Sequence, residues 1–326
     1  MISATHWLAR LCAGAALIGL CSACGPVAAP DRPTPHENAP FVLATETFLA
    51  DIAQNVMGDR MRVSALIPTG VDPHNFEPTP QDLTHVASCQ VLIVNGAGLE
   101  VFLEKLLQNA GGQHRVIEAS AGLSSRAPGP NEAAELNDAN PTKASGQSQR
   151  EKDPHFWLDP LLVVRYVENI RDGLSEADPA GASTYAANAD RYIQALKQLD
   201  QWIRTQVAPV PPARRLMVTN HESLGYFADR YGFTIVGMII PSISTGSSPS
   251  ARQMARLADQ IRAAGAPAIF LETGANAQLA KQVAQEGGVH VVTELYSHSL
   301  GPAGGPASSY LDMMRYNTNA IVGALK

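Results

Sequence analysis

Ser183-Thr184-Tyr185-Ala186-Ala187-Asn188-Ala189-Asp190-Arg191-Tyr192-Ile193-Gln194-Ala195-Leu196-Lys197-Gln198-Leu199-Asp200-Gln201-Trp202-Ile203-Arg204-Thr205-Gln206-Val207 carries its apolar residues in one stripe. Tyr185, Ala189, Tyr192, Leu196, Leu199 and Ile203 recur at alternating spacings of four and three, which is one face of an α-helix. At 1.5 Å per residue this helix is roughly 37 Å long, the width of a domain. Ala208-Pro209-Val210-Pro211-Pro212 stops it, because proline has no N–H to continue the ladder. The helix lies near the centre of a chain of 326 residues, enough for two ordinary domains. A stiff helix joining two lobes leaves a cleft between them.

On both sides of this strut, short β-branched runs alternate with helical patterns, which implies parallel sheets covered by helices. Strands are expected at Phe41 to Thr45, Met61 to Ile67, Val91 to Val94, Arg115 to Glu118, Leu216 to Thr219, Ala268 to Leu271 and His290 to Thr293. Leu158-Asp159-Pro160 opens a helix with Asp159 as its cap, and Ser248-Pro249 opens another that Gly265 ends. The fold class is α/β: a first lobe over 41–180, the linking helix over 181–208 and a second lobe over 209–326, each lobe with a mainly parallel sheet. Within the first lobe, 124–153 is poor in apolar residues and dense in Pro, Gly, Asn and Ser, and reads as a mobile loop.

The N-terminus reads as an address. Arg10 precedes the uncharged apolar run Leu11 to Ala23, whose 13 residues fall short of the ~20 that span a bilayer as a helix. Residues 1–23 form a signal peptide and 24–40 a Pro-rich tether. Ser22 and Ala23 place small residues before Cys24, as lipoprotein processing requires, although Cys21 stands where Leu is usual. Lipidation at Cys24 is the preferred reading, and an ordinary cut after Ala23 the alternative. Either way the chain works outside the cytoplasm, at the cell surface or in a periplasm.

Composition removes several classes of function. Lys plus Arg is 24 against 30 for Asp plus Glu, a net charge of −6 without any basic run, so nucleic acid is not an expected partner. Cys12, Cys21 and Cys24 crowd the N-terminus, leaving Cys89 alone in the body. No internal disulfide framework is possible there, and Cys89 reads as a small buried hydrophobe. Gly96-Ala97-Gly98 follows a strand but lacks the third glycine of a dinucleotide fingerprint, so a tight turn explains it.

Four histidines share a context. His74, His155, His221 and His298 each sit in a loop with turn or cap residues, after or near a strand end, where α/β folds place ligands. Their separations of 81, 66 and 77 residues match no local zinc motif. A site made of them is assembled from the whole chain, two from each lobe. Alone, each has an ordinary reading: a surface-loop residue for His74, packing on Trp157 for His155, a helix start for His221, and no local argument for His298. His85, His114 and His290 adjoin helix or strand patterns and read as ordinary partly buried residues.

Several segments, in order, together carry a resemblance to one known family. They are Gly70-Val71-Asp72-Pro73-His74-Asn75-Phe76-Glu77-Pro78-Thr79-Pro80, Asn95-Gly96-Ala97-Gly98-Leu99-Glu100, His155-Phe156-Trp157-Leu158-Asp159-Pro160 and Asn220-His221-Glu222-Ser223-Leu224-Gly225-Tyr226. Ser242-Ile243-Ser244-Thr245-Gly246, Phe270-Leu271-Glu272 and Met313-Met314-Arg315-Tyr316-Asn317 continue the series, and taken together these segments resemble the zinc and manganese solute-binding proteins of bacterial ABC transporters. The resemblance implies two α/β lobes, a backbone helix and a metal site in the cleft, with ligands His74, His155 and His221. The family's fourth ligand is usually Asp; here His298 occupies its place, so that, unless a carboxylate is supplied from elsewhere, the site is all imidazole or three imidazoles and a water. Glu272 is expected to steady a ligand rather than bind the metal itself.

Imidazole suits zinc, whereas manganese prefers harder oxygen donors. The expected function is capture of Zn2+ in the cleft and delivery to a membrane permease, by a monomer tethered through its lipid. Mn2+, Fe2+ or another divalent cation is the alternative within the class, and affinity order leaves copper open. With a reference imidazole pKa of ~6.5, metal should be lost below about pH 6. A hydrolase using Glu77, Asp159, Glu222 or Glu272 as general base lacks a supporting motif, and structural adhesion has no repeat or sugar-binding surface behind it. The chain is therefore expected not to be an enzyme.

Overall fold

The computed structural model describes residues 40–139 and 152–326; the stretches expected to be a signal peptide and, but for Pro40, a tether lie outside the described residues. Strand β1 (Val42–Ala44) leads to helix α1 (Thr47–Met57), β2 (Val63–Ala65), α2 (Pro80–Ser88), β3 (Val91–Val94), α3 (Leu103–Ala110) and β4 (Arg115–Glu118). These strands form a parallel sheet in the order β2-β1-β3-β4, with Val42 opposite both Val63 and Val91. Helices α4 (Pro130–Ala139), α5 (Val163–Ala177) and α6 (Ala182–Val207) follow. The second half repeats the plan with β5 (Leu216–Thr219), α7 (Gly225–Tyr231), β6 (Thr234–Met238), α8 (Ala251–Ala264), β7 (Ala268–Glu272), α9 (Ala277–Gly287), β8 (His290–Leu295) and α10 (Tyr310–Leu325). Its strands are again parallel, in the order β6-β5-β7-β8. The expected α/β architecture of two sheets and one long joining helix is thus observed.

The stripe on α6 explains how the halves are held. Tyr185, Ala189, Tyr192, Leu196, Leu199 and Ile203 are buried in one hydrophobic cluster that also contains Val42 and Val91 of the first sheet and Met217 and Phe270 of the second. Successive strand residues face opposite sides, so Leu43, Leu92 and Val94 enter a separate cluster beneath α3, with Leu106. Val218 and Ile269 enter another beneath α8 and α9. Each large apolar side chain fully buried on α6 contributes roughly 1.5–3 kcal/mol, so a tilt that opened this shared core would expose several at once.

Three segments depart from expectation. Strand β6 was not among the seven expected, because Gly237 interrupts a short run and weakens its β pattern. That glycine has a packing reason: a Cβ there would stand 2.5 Å from both Leu257 Cδ1 and Glu135 Oε1. Over Pro130–Ala139 the expected loop 124–153 is helix instead; residues 140–151 lie outside the described residues. Helix α4 needs little apolar content because polar groups fasten it to β6, an edge strand whose unpaired backbone must find partners. Asn131 Nδ2 donates to Ile235 O at 3.1 Å, and Met238 N donates to Glu135 Oε2 at 2.9 Å. Asp159 accepts from Leu161 N at 2.8 Å but caps only a turn, and the helix begins at Val163.

Because α6 serves both halves, Leu196→Ala is expected to lower unfolding free energy by about 2–5 kcal/mol through the cavity left behind. Denaturant unfolding should show this as a shifted midpoint of one transition. Two separate transitions, only one of them shifted, would contradict a shared core.

Candidate metal centre

The four loop histidines meet at the carboxyl ends of the strands. Asp72 Oδ1 accepts from His74 N at 2.9 Å, fixing the short turn Pro73–Asn75 after β2. Asp153 Oδ1 accepts from His155 N at 3.0 Å in the same way. The tripeptide Asp-Pro-His occurs at both places, and proline fixes the backbone so that the carboxylate can bond two residues on. His221 follows β5, its carbonyl accepting from Thr219 Oγ1 at 2.9 Å. His298 follows β8, where pairing with β7 slips: Phe270 stands opposite Val292, but Glu272 opposite Leu295. The extra residue falls on β8, where Glu294 adopts φ 70°. Such a bulge redirects the strand end, here beside Glu272 and the His298 loop.

The rings form a nearly regular cage. Their centroids are 5.3 Å apart for His74–His155, 5.5 Å for His74–His221, 5.1 Å for His74–His298, 5.2 Å for His155–His221, 5.3 Å for His155–His298 and 5.1 Å for His221–His298. One ring nitrogen from each lies within 4.8 Å of the others. His155 Nε2 is 3.2 Å from both His74 Nε2 and His298 Nε2. A tetrahedral ion bound at about 2.0–2.1 Å needs nitrogen–nitrogen edges of about 3.3–3.4 Å. His74, His155 and His221 are buried and His298 is nearly so, its side chain 9% exposed; His221 Nε2 has no hydrogen-bond partner.

Three of the outward nitrogens lie beside carboxylates. Asp153 Oδ1 lies 2.8 Å from His155 Nδ1. Glu272 serves two rings: its Oε1 is 2.9 Å from His221 Nδ1, and its Oε2 is 3.2 Å from His298 Nδ1. The first contact is in ion-pair range but out of line for an N–H···O bond. Ser223 Oγ donates to Glu272 Oε1 at 2.6 Å, and Ser297 Oγ lies 2.9 Å from His298 Nδ1. Trp157 joins two of the loops, donating from Nε1 to Ser297 O at 2.6 Å while its ring tilts against His155. Where Nδ1 holds its proton towards such an acceptor, as at His155, Nε2 is left with the lone pair a metal needs.

Protonation follows from burial and crowding. Burial first, then repulsion by His298 and His221, pushes His74 down to about 3. Burial likewise holds His155 well below the usual imidazole range, reinforced by its three neighbouring rings. Burial would raise the Glu272 carboxyl, but His221 and His298 outweigh it and hold it well below the carboxylate range. Glu272 therefore steadies two rings, as expected from the strand it ends. Asp153 and Arg126, in a stretch read as a loop, were not anticipated; the repeated Asp-Pro-His was a signal for Asp153. His85 and His290, expected to be partly buried, are exposed instead, and His114 bonds to Gly111 O and Cys89 O; none of the three joins the cage.

Comparison with known proteins gives a consistent family. The family described as Zinc-uptake complex component A periplasmic matches residues 42–324. The manganese-binding lipoprotein MntA of Halalkalibacterium halodurans is 34% identical over 284 residues, covering 87% of this chain and 88% of the relative. Among solved structures, the periplasmic zinc binding protein TroA from Treponema pallidum superposes with a TM-score of 0.74 at 27% identity, covering 88% of this chain and 99% of its own. The Mn-bound periplasmic metal binding protein from Candidatus Liberibacter asiaticus gives 0.74 at 28% identity, covering 88% and 100%.

A lowered pKa means that a proton competes for the ring only at lower pH. His74 and His155 should keep neutral-imidazole ring shifts from pH 7.5 to 5 in the metal-free protein, measured by nitrogen-15 NMR. Titration of either ring with a midpoint near the reference ~6.5 would contradict the burial argument. The acid release expected from unshifted imidazoles then moves below about pH 6 for these two positions.

Proposed function

This chain belongs to the family of Zinc-uptake complex component A periplasmic, and on that premise we propose that it captures Zn2+ through His74, His155, His221 and His298. As a family member it is the extracytoplasmic substrate-binding component of a metal ABC transporter, not an enzyme; its partners are a divalent cation and a membrane permease. The hydrolase reading falls with that. Lipidation at Cys24 and a monomeric state belong to the proposal; the relative named as a lipoprotein supports the former.

The observation that carries zinc is a cage of four imidazoles whose nearest carboxylates, Asp153 and Glu272, touch the outward nitrogens. Nitrogen donors in tetrahedral array suit zinc, and manganese prefers oxygen. The second reading is Mn2+, favoured by the name of the manganese-binding relative. It requires a carboxylate to enter the cage, and Glu272 already serves two rings and Ser223.

Chelator-competition titrations of the purified protein should show zinc bound at one ion per chain and far more tightly than manganese. His298→Asp supplies a hard oxygen in place of one imidazole, and is expected to narrow the zinc-to-manganese affinity ratio by roughly tenfold or more. Equal binding of the two metals by the parent protein would sink the zinc assignment and leave a divalent-metal carrier. Glu272→Gln should weaken zinc about 10–100-fold, the usual cost of losing a ligand's orienting partner.

A further inference from the structure

A buried cation stands behind the cage. Arg126, in the segment between β4 and α4, has a side chain only 7% exposed and is surrounded by four carboxylates. Its Nη2 donates to Glu132 Oε2 at 2.9 Å and its Nε to Asp229 Oδ2 at 2.8 Å. Its Nη1 donates to Glu222 Oε1 and to Glu132 Oε1, and stands 3.7 Å from Asp153 Oδ2. Glu222 directly follows His221, and Asp153 holds the Nδ1 of His155. One guanidinium nitrogen therefore lies between the neighbour of a histidine from the second half and the orienting partner of a histidine from the first.

The surroundings are shaped for this group. A Cβ on Gly225 would collide with Arg126 Nη1, so the glycine leaves room for the guanidinium. Tyr226 Oη accepts from Arg126 N at 3.1 Å and donates to Asp153 O at 2.9 Å, fixing both backbones. Asp153 Oδ2 and Glu222 Oε2 are buried without hydrogen-bond partners; burial penalises the charge of such groups, and the nearby guanidinium offsets part of that cost.

We propose that Arg126 is a positioning residue for the metal site: by holding Asp153 and Glu222 from one side, it aims His155 and His221 at a common point across the two halves. The inference rests on the zinc reading for its affinity readout, but not for its structural one. Arg is suited to the task because its planar fork presents five donors in fixed directions, which a lysine ammonium does not.

The test compares Arg126→Met and Arg126→Lys with the parent, using zinc competition titration and NMR of the His155 ring in metal-free protein. Arg126→Met is expected to bind zinc about 10–100-fold more weakly and to lose the single Nδ1–H tautomer of His155, while Arg126→Lys recovers part of both. Combined with Asp153→Asn, the methionine variant should lose less zinc affinity than the sum of the two single losses, because part of what Arg126 does passes through Asp153. Should Arg126→Met not fold, Arg126→Lys carries the comparison, with a loss of at least about threefold expected. Parent-like zinc affinity and an unchanged His155 tautomer in the folded variant would overturn the proposal, as would fully additive losses in the double variant. If the parent itself bound no zinc, the zinc reading would fail, whereas the tautomer measurement would still decide the role of Arg126.

Discussion

An imidazole presents a lone pair to a cation only while its other nitrogen holds the proton, and inside a protein that proton needs an acceptor. This requirement organises the centre of the molecule. Asp153 meets the outward nitrogen of His155, and Glu272 reaches those of His221 and His298. A carboxylate buried as deeply as Glu272 is costly unless it is paired and hydrogen-bonded; two rings and the Ser223 hydroxyl meet that condition. The same contacts that make Glu272 tolerable in the interior orient the rings.

Convergence also needs the loops to be held in register across two sheets. The shared cluster under α6 does this, because inward residues of both sheets and the strut's stripe form one packed body. Protein interiors pack at crystal-like density and yield little, so rings carried on loops at the strand ends inherit positions set by the core. Release of a cation from such a body is better served by small loop shifts than by a wide hinge. The bulge at Glu294 supplies the local correction that a regular strand could not, turning the chain at the end of β8 towards the cage.

Neutral donors with carboxylates one ring behind them also suit a carrier. The negative charge of Glu272 would be felt by a cation in the cage through the imidazoles rather than by direct contact, and electrostatic attraction weakens with distance. Arg126 then sets the charge around Asp153 from the outer side. The centre is layered outward from the cage: imidazole, carboxylate, guanidinium.

Much of the architecture was legible in the chain because it depends on local periodicity. The α6 stripe, most strands and the four histidines at strand ends followed from residue spacing and turn chemistry, which act over a few positions. The segments that escaped, β6 with its inner glycine and α4 with its polar face, are held by contacts with residues about a hundred positions away. No local pattern encodes those. The choice of the histidine at 298 is likewise readable as a residue, but its ring reaches the others only because the β7–β8 slip and Glu272 place it there. The chain alone determined which side chains were available to bind a cation; burial, register and the partner at each outward nitrogen, all products of long-range packing, decided that their lone pairs meet.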